Sequence, residues 1–132
     1  MELKKMTMTN HELVALLKGL YAVQEVPGLK FALVVTKNQR VLKAELEDLE
    51  TISKPSEEFM KLSQDVAKLG QDQEAIAKLE KKNEKVIKAR KKQMDEVNAL
   101  MPNTQDIELW CVGEDILPDE ISASQLNGIF PI

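Results

Sequence analysis

Four residues supply the charge and the aromatic surface that binding a phosphate-bearing planar ligand would need. Lys30, Lys37 and Arg40 are basic residues of one segment, and Trp110 is the only tryptophan. Cationic side chains bind phosphate, and an amphipathic indole ring stacks on planar ligands or anchors interfaces. If a symmetric assembly of subunits brings the four together, they form a pocket for a phosphate-bearing small molecule. In the alternative interpretation, Trp110 belongs to the core and the basic side chains are solvated.

No catalytic signature accompanies these residues. The five glycines are scattered, and the sequence contains no HExxH motif, no paired CxxC motif and no nucleophile elbow. Cys111 and His11 are the only cysteine and the only histidine, and they lie far apart in sequence. A single cysteine excludes an internal disulfide and a cysteine-based metal cluster. We therefore predict a non-enzymatic protein with no catalytic residues, no cofactor and no metal site.

Charge is unevenly distributed along the chain. The formal net charge is −4, yet residues 78–92 contain eight basic residues against two acids, and residues 103–132 contain six acids and no base. The basic run is interpreted either as a solvated helical face or as a site for phosphate or an acidic protein surface. Nucleic acid is not expected as a partner, because Glu80 and Glu84 interrupt the run on the same face. Without an apolar stretch of roughly 18 residues or a signal peptide, the sequence predicts a cytoplasmic protein with no membrane partner, in the host cytoplasm if a phage encodes it.

A long amphipathic helix over residues 56–101, bounded by Pro55 and Pro102, dominates the predicted architecture. Alternating steps of three and four residues pick out an apolar seam that is typical of a coiled coil or helical hairpin. Four positions within the seam are polar (Gln73, Glu80, Asn83 and Arg90), and they either fix the register or lie in a solvated middle of the helix. A break at residues 70–72, beginning at Gly70, is the alternative to one unbroken helix. The apolar seam positions, predicted to pack in an oligomer, are Phe59, Leu62, Val66, Leu69, Ile76, Ile87, Met94 and Val97.

The remaining elements flank this helix. A capping box at Thr9 and Glu12 predicts a helix over 9–25. The segment 29–52 is predicted as one helix, although residues 30–36 are rich in β-formers. The acidic tail, 103–132, is predicted to contain a strand over 107–112 and a short closing helix that begins near Ser122. The strand needs a partner, which is either 30–36 or a second copy of the chain. The predicted fold is a single mainly α domain over residues 1–132, with an elongated helical hairpin or coiled-coil body, a small C-terminal strand and a short closing helix.

The order of these segments resembles a group of small bacteriophage and prophage proteins. The resemblance is carried by TNHELVALLKGL at the N-terminus, by KFALVVTKNQRVLKAELEDLE, by the Lys- and Glu-rich long helix and by the tail IELWCVGEDILPDEISASQLNGIFPI. The resemblance implies a biological context and not an activity, since small phage proteins of this build are commonly accessory factors. We expect a homo-oligomer that acts by binding and counters a host defence protein. Two alternatives stay open: sequestration of a nucleotide-derived immune signal at a subunit interface, and a structural or helper role in virion assembly.

Overall fold

The computed structural model describes residues 2–132, and the chain divides into two compact units. Unit 1 comprises the described residues up to Asp48 together with Leu100–Ile132, and unit 2 comprises Leu49–Ala99. Mainly α structure with a short strand near the C-terminus and a brief closing helix was predicted, and this is confirmed. That the chain folds as one domain stays a prediction. Among residues 2–132, no helix combines the length and apolar character needed to cross a membrane.

A two-stranded antiparallel sheet joins the two ends of unit 1. Strand β1, Leu3–Thr9, pairs with β2, Thr104–Trp110, in a register that sets Leu3 opposite Trp110 and Thr9 opposite Thr104. The predicted partner of β2, either residues 30–36 or a second subunit, was wrong, because β1 pairs with it. Strand β1 was not predicted, because its two lysines and two methionines have little strand preference. Pairing with β2 stabilises the strand instead. Strand β2 also begins and ends earlier than predicted.

Helix α1, Asn10–Ala22, follows β1 directly. Thr9 caps it as predicted, because its hydroxyl accepts the amide of Glu12 while the Glu12 carboxylate accepts the amide of Thr9. The apolar face of α1 is buried in the core of unit 1. This core is formed by Met8, Leu13, Leu16, Leu20, Val23, Phe31, Val34, Val35, Leu42, Leu46, Ile107, Leu109 and Ile129.

The closing helix α6, Ala123–Gly128, packs on α1. Ser122 caps it in a second capping box with Gln125. Gly19 and Gly128 meet backbone to backbone, since a methyl group added at Gly19 would lie 2.6 Å from the carbonyl carbon of Gly128. A side chain at Gly19 would therefore collide with the Gly128 backbone, so the glycine at position 19 allows the two helices to approach closely.

Helix α2 spans Leu29–Ser53, which confirms one helix where residues 30–36 were ambiguous. Phe31, Val34 and Val35 are buried, so aromatic and β-branched residues that would suit a strand instead form part of the core face of a helix. Burial at helical spacing outweighs their modest helix preference. The last turn of α2, from Leu49, belongs to unit 2.

Unit 2 continues with three helices where one long helix was predicted. They are α3, Glu57–Lys68; α4, Gln73–Lys82; and α5, Glu84–Leu100, of which residues up to Ala99 belong to this unit. The first break occurs at the alternative position, where Gly70 has φ +61° and Asp72 caps α4. The second, at Asn83, was not predicted. There the side-chain amide donates to the Leu79 carbonyl at 2.9 Å, which is how Asn competes with regular helical bonding.

These helices form an antiparallel hairpin in which α3 lies along α4 and α5. Phe59, at the start of α3, lies under Arg90 of α5, with 5.6 Å from the guanidinium carbon to the ring centroid. At the other end, Leu69, the C-cap residue of α3, shares a groove with Ala75 and Leu79 of α4.

Two side chains of α5 tie the hairpin to the C-terminal end of α2. Arg90 donates to the Ser53 carbonyl at 2.7 Å, and Gln93 donates to the carbonyls of Ile52 and Lys54, each at 2.7 Å. Carbonyls at a helix C-terminus lack partners and carry partial negative charge, so a guanidinium there is favourable. Among the polar seam residues, Arg90 thus bonds to the end of α2, whereas Gln73 and Glu80 are exposed, and a role of the polar seam in fixing register stays a prediction.

Candidate binding surfaces

Trp110 is held in place through its backbone by Asn38. The fully buried Asn38 side chain accepts the Trp110 amide at 2.7 Å and donates to the Trp110 carbonyl at 2.8 Å. Both backbone groups thus face α2 at the end of β2. One buried amide therefore fixes where the indole can lie relative to α2.

The Trp110 ring is half-buried and carries a cation on one face. The Lys37 ammonium lies 4.4 Å from the ring centroid, within the range of a cation–π contact. Such a contact contributes about 0.5–1 kcal/mol at an exposed site. The structure therefore brings together one predicted cation and the predicted aromatic ring.

Lys30 and Arg40 are exposed side chains of the same helix. Lys30 lies in the first turn of α2, two turns before Lys37, and Arg40 lies about one turn beyond it. A cavity of about 230 Å³ that Cys111 helps to line also has Glu2 and Asp115 in its wall and has no basic lining residue. Its two carboxylates make it unsuitable for a phosphate group. The role of the set Lys30, Lys37, Arg40 and Trp110 as a ligand site stays a prediction.

His11 and Cys111 occupy ordinary positions. His11 is exposed in the first turn of α1, where its backbone amide donates to the Met101 carbonyl at 3.1 Å. Cys111 is half-buried just after β2, and its amide donates to the Glu2 carbonyl at 2.7 Å. Over the described residues 2–132, no group of three or more His, Cys, Asp or Glu side chains is placed to hold a metal ion.

Unit 2 carries a groove on one flank of the hairpin, which we call the apolar groove. It has a volume of about 360 Å³, and its only charged lining residue is Glu80. The other lining residues come from α3 and α5: Phe59, Leu62, Ser63, Val66 and Ile87. Four of the predicted seam residues thus line an open groove.

The opposite flank carries a groove of about 470 Å³, which we call the lysine groove. Its floor is formed by Leu69, Ala75 and Leu79, and Lys68, Lys78 and Lys82 surround the floor together with Asp65. A smaller groove of about 250 Å³, between Glu58, Lys61 and Val86, continues along the same flank. Helical spacing places the two flanks on different edges of α3, since Ser63 and Lys68 point to different sides of that helix.

The predicted seam is only partly covered within its own unit. Leu62 and Val97 are buried, whereas the other six seam residues (Phe59, Val66, Leu69, Ile76, Ile87 and Met94) are half-buried. The seam therefore packs the hairpin and also contributes to its open grooves.

Comparison with protein-family models, curated proteins and solved structures yields no match. Function is therefore inferred from the grooves of unit 2 and from the Lys37–Trp110 contact.

Sequence reasoning missed the positions that organise these surfaces. In the sequence, Asn38 and Gln93 resemble ordinary polar residues of helices. No local motif indicates their backbone partners, which lie 72 and 41 residues away along the chain. A polar residue on the apolar side of α2, between buried Val35 and Leu42, was the available signal for Asn38.

Proposed function

We propose that this chain is a non-enzymatic binding protein that works as a homo-oligomer, of the phage accessory type, and counters a host factor. The observation that supports it is the apolar groove of unit 2. Phe59, Val66 and Ile87 remain partly open to solvent there, beside a single carboxylate. Each Å² of apolar surface removed from water contributes about 25 cal/mol, so covering this groove favours association.

A second copy is a suitable cover for the groove. Two-fold assembly places the same patch of both subunits face to face, so a patch must be compatible with itself. A groove with one charged lining residue meets this condition, because few like charges oppose each other. Glu80 lies some distance along the hairpin from Arg90, which lies over Phe59. Antiparallel docking of two copies would therefore set Glu80 of one subunit near Arg90 of the other.

Size-exclusion chromatography with light scattering tests the assembly. We expect a mass that is a multiple of the 14.9 kDa chain. Val66→Asp places a charge in the groove and should shift the mass to that of the monomer. Ala67→Asp is the matched control, since Ala67 is the exposed neighbour on α3 and does not line the groove. A wild-type monomer at working concentration, or equal behaviour of the two variants, would refute the proposal.

The second candidate is sequestration of a nucleotide-derived immune signal, and the Lys37–Trp110 contact favours it. A planar base would stack on Trp110, and Lys37, Lys30 and Arg40 would bind its phosphates. Calorimetry against cyclic nucleotides and ADP-ribose derivatives should then detect binding that Lys37→Gln weakens. Lys43→Gln is the matched control, because Lys43 lies over Tyr21 at 5.2 Å in a similar contact elsewhere in unit 1. Absence of binding to every compound would leave only the protein-partner version.

A further inference from the structure

The lysine groove combines an apolar floor with several basic side chains at the rim. On α4, Ala75 and Leu79 are four residues apart, and so are Lys78 and Lys82, so an apolar row and a basic row run side by side. On the opposite wall, Lys68 at the end of α3 and its C-cap residue Leu69 add one basic and one apolar side chain. The groove is thus amphipathic along its length.

The rim lysines are unpaired. Among the described residues 2–132, none of Lys68, Lys78 and Lys82 forms an ion pair with a carboxylate, whereas Lys88 pairs with Glu84 at 2.9 Å. Three ammonium groups against the single carboxylate of Asp65 leave the groove with a net positive charge. The rim therefore favours an anionic occupant over a neutral one.

We propose that the lysine groove binds an acidic amphipathic helix of a partner protein. This inference rests on the proposed function, because it specifies the chemistry of the partner to which the proposed binding protein would bind. Apolar residues at helical spacing would fill the floor, and Asp or Glu residues beside them would meet the lysines. Carboxylates four residues apart on such a helix lie about 6 Å apart along its axis, and Lys78 and Lys82 have the same axial spacing.

Other occupants fit this groove less well. A second copy of the same flank would bring like-charged lysine rims together, which opposes two-fold docking. A membrane surface calls for apolar side chains that protrude into lipid, whereas Leu69, Ala75 and Leu79 form a recessed floor. Nucleic acid would gain from the lysines and would leave the apolar floor unused.

The test uses the full chain and a synthetic peptide that forms an amphipathic helix of about four turns, with Leu at helical spacing and Glu on both sides. Fluorescence anisotropy of the labelled peptide should show saturable binding that weakens as salt is raised. Lys78→Glu with Lys82→Glu should raise the Kd by roughly tenfold or more. Lys81→Glu with Lys91→Glu makes the same charge change on exposed lysines that do not line the groove, and should change the Kd by less than about threefold.

A second peptide of the same composition, with its Leu residues dispersed around the helix, separates groove binding from simple charge attraction. Equal affinity for both peptides, or equal loss in both lysine variants, would overturn the proposal. So would tighter binding to phosphatidylserine vesicles or duplex DNA than to the amphipathic peptide. Light scattering on the same samples keeps the two ideas apart, since self-association depends on Val66 and the apolar groove, whereas peptide binding depends on Lys78 and Lys82.

Discussion

The two units of this chain differ in how they are stabilised. Of the 15 buried apolar side chains in the described residues, 13 lie in unit 1 and two, Leu62 and Val97, lie in unit 2. Unit 1 has a core of its own. Unit 2 has helices with one covered edge and open grooves on both sides of it, so its stability depends more on local features of its helices.

Two helices of unit 2 have side-chain caps at their N-termini. Ser56 caps α3 by accepting the amide of Phe59 at 3.1 Å, and Asp72 caps α4 by accepting the amide of Ala75 at 3.2 Å. Each such cap contributes about 1 kcal/mol. The comparison shows that a region can be almost wholly helical while burying little, and such a region has surface available for association.

The sharpest test of this difference compares one leucine from each unit. Leu13→Ala, at a site with no exposure, should lower the free energy of unfolding by about 3 kcal/mol, because it leaves a closed cavity. Leu62→Ala should cost about 2 kcal/mol, since Leu62 borders two open grooves and its removal costs the transfer of the lost carbons without a closed cavity. Urea unfolding measures both.

Two signals assign these losses to a unit. Trp110 fluorescence reports on unit 1, and far-UV circular dichroism reports on all helices. Coincident transitions would indicate that both units unfold together as the predicted single domain. Equal losses for the two leucine variants would contradict the contrast drawn between the units.

A smaller effect is expected at the amide that holds Trp110. Asn38→Ala should cost about 2 kcal/mol, because it leaves the Trp110 amide and carbonyl without their side-chain partner. Gln39→Leu, one residue further along α2, is the matched control. The Gln39 side-chain nitrogen is buried without a partner, so this change should be neutral or slightly stabilising. Thermal unfolding followed by Trp110 fluorescence checks both, and a larger loss at Gln39 would contradict the hydrogen-bond account.

The smallest effect concerns the tie between α5 and the end of α2 in unit 2. Gln93→Ala removes its two hydrogen bonds to the carbonyls of Ile52 and Lys54 and the one that it accepts from Arg90. It should cost about 1 kcal/mol, because the two bonds to the carbonyls are exposed to solvent. The loss should appear in circular dichroism, and it should leave the Trp110 transition unchanged if the two units unfold separately. Lys92→Ala, at an exposed neighbouring position, serves as control. An equal loss for Lys92→Ala would show that the tie contributes nothing of its own.

The sequence predicted what depends on neighbours along the chain. The capping box at Thr9, the closing helix that begins near Ser122 and the alternative of a break at Gly70 each follow from a few consecutive residues. Strand β1 and the Asn38–Trp110 link did not follow, because each depends on a partner roughly 70 to 110 residues away that no local pattern specifies. The same limit applies to the candidate surfaces. Lysines at residues 78 and 82 were visible as part of a basic run, and their pairing with an apolar floor required the antiparallel hairpin.

The pairing of Leu3–Thr9 with Thr104–Trp110 makes unit 1 from the two ends of the chain, with residues 49–99 as an insertion between its halves. An insertion of this kind can gain or lose matched helical turns on α3 and on the facing part of α4 and α5 without altering a single strand register or core residue of unit 1. The length of the hairpin, and with it the reach and number of its grooves, is therefore free to diversify while the remainder of the fold stays the same.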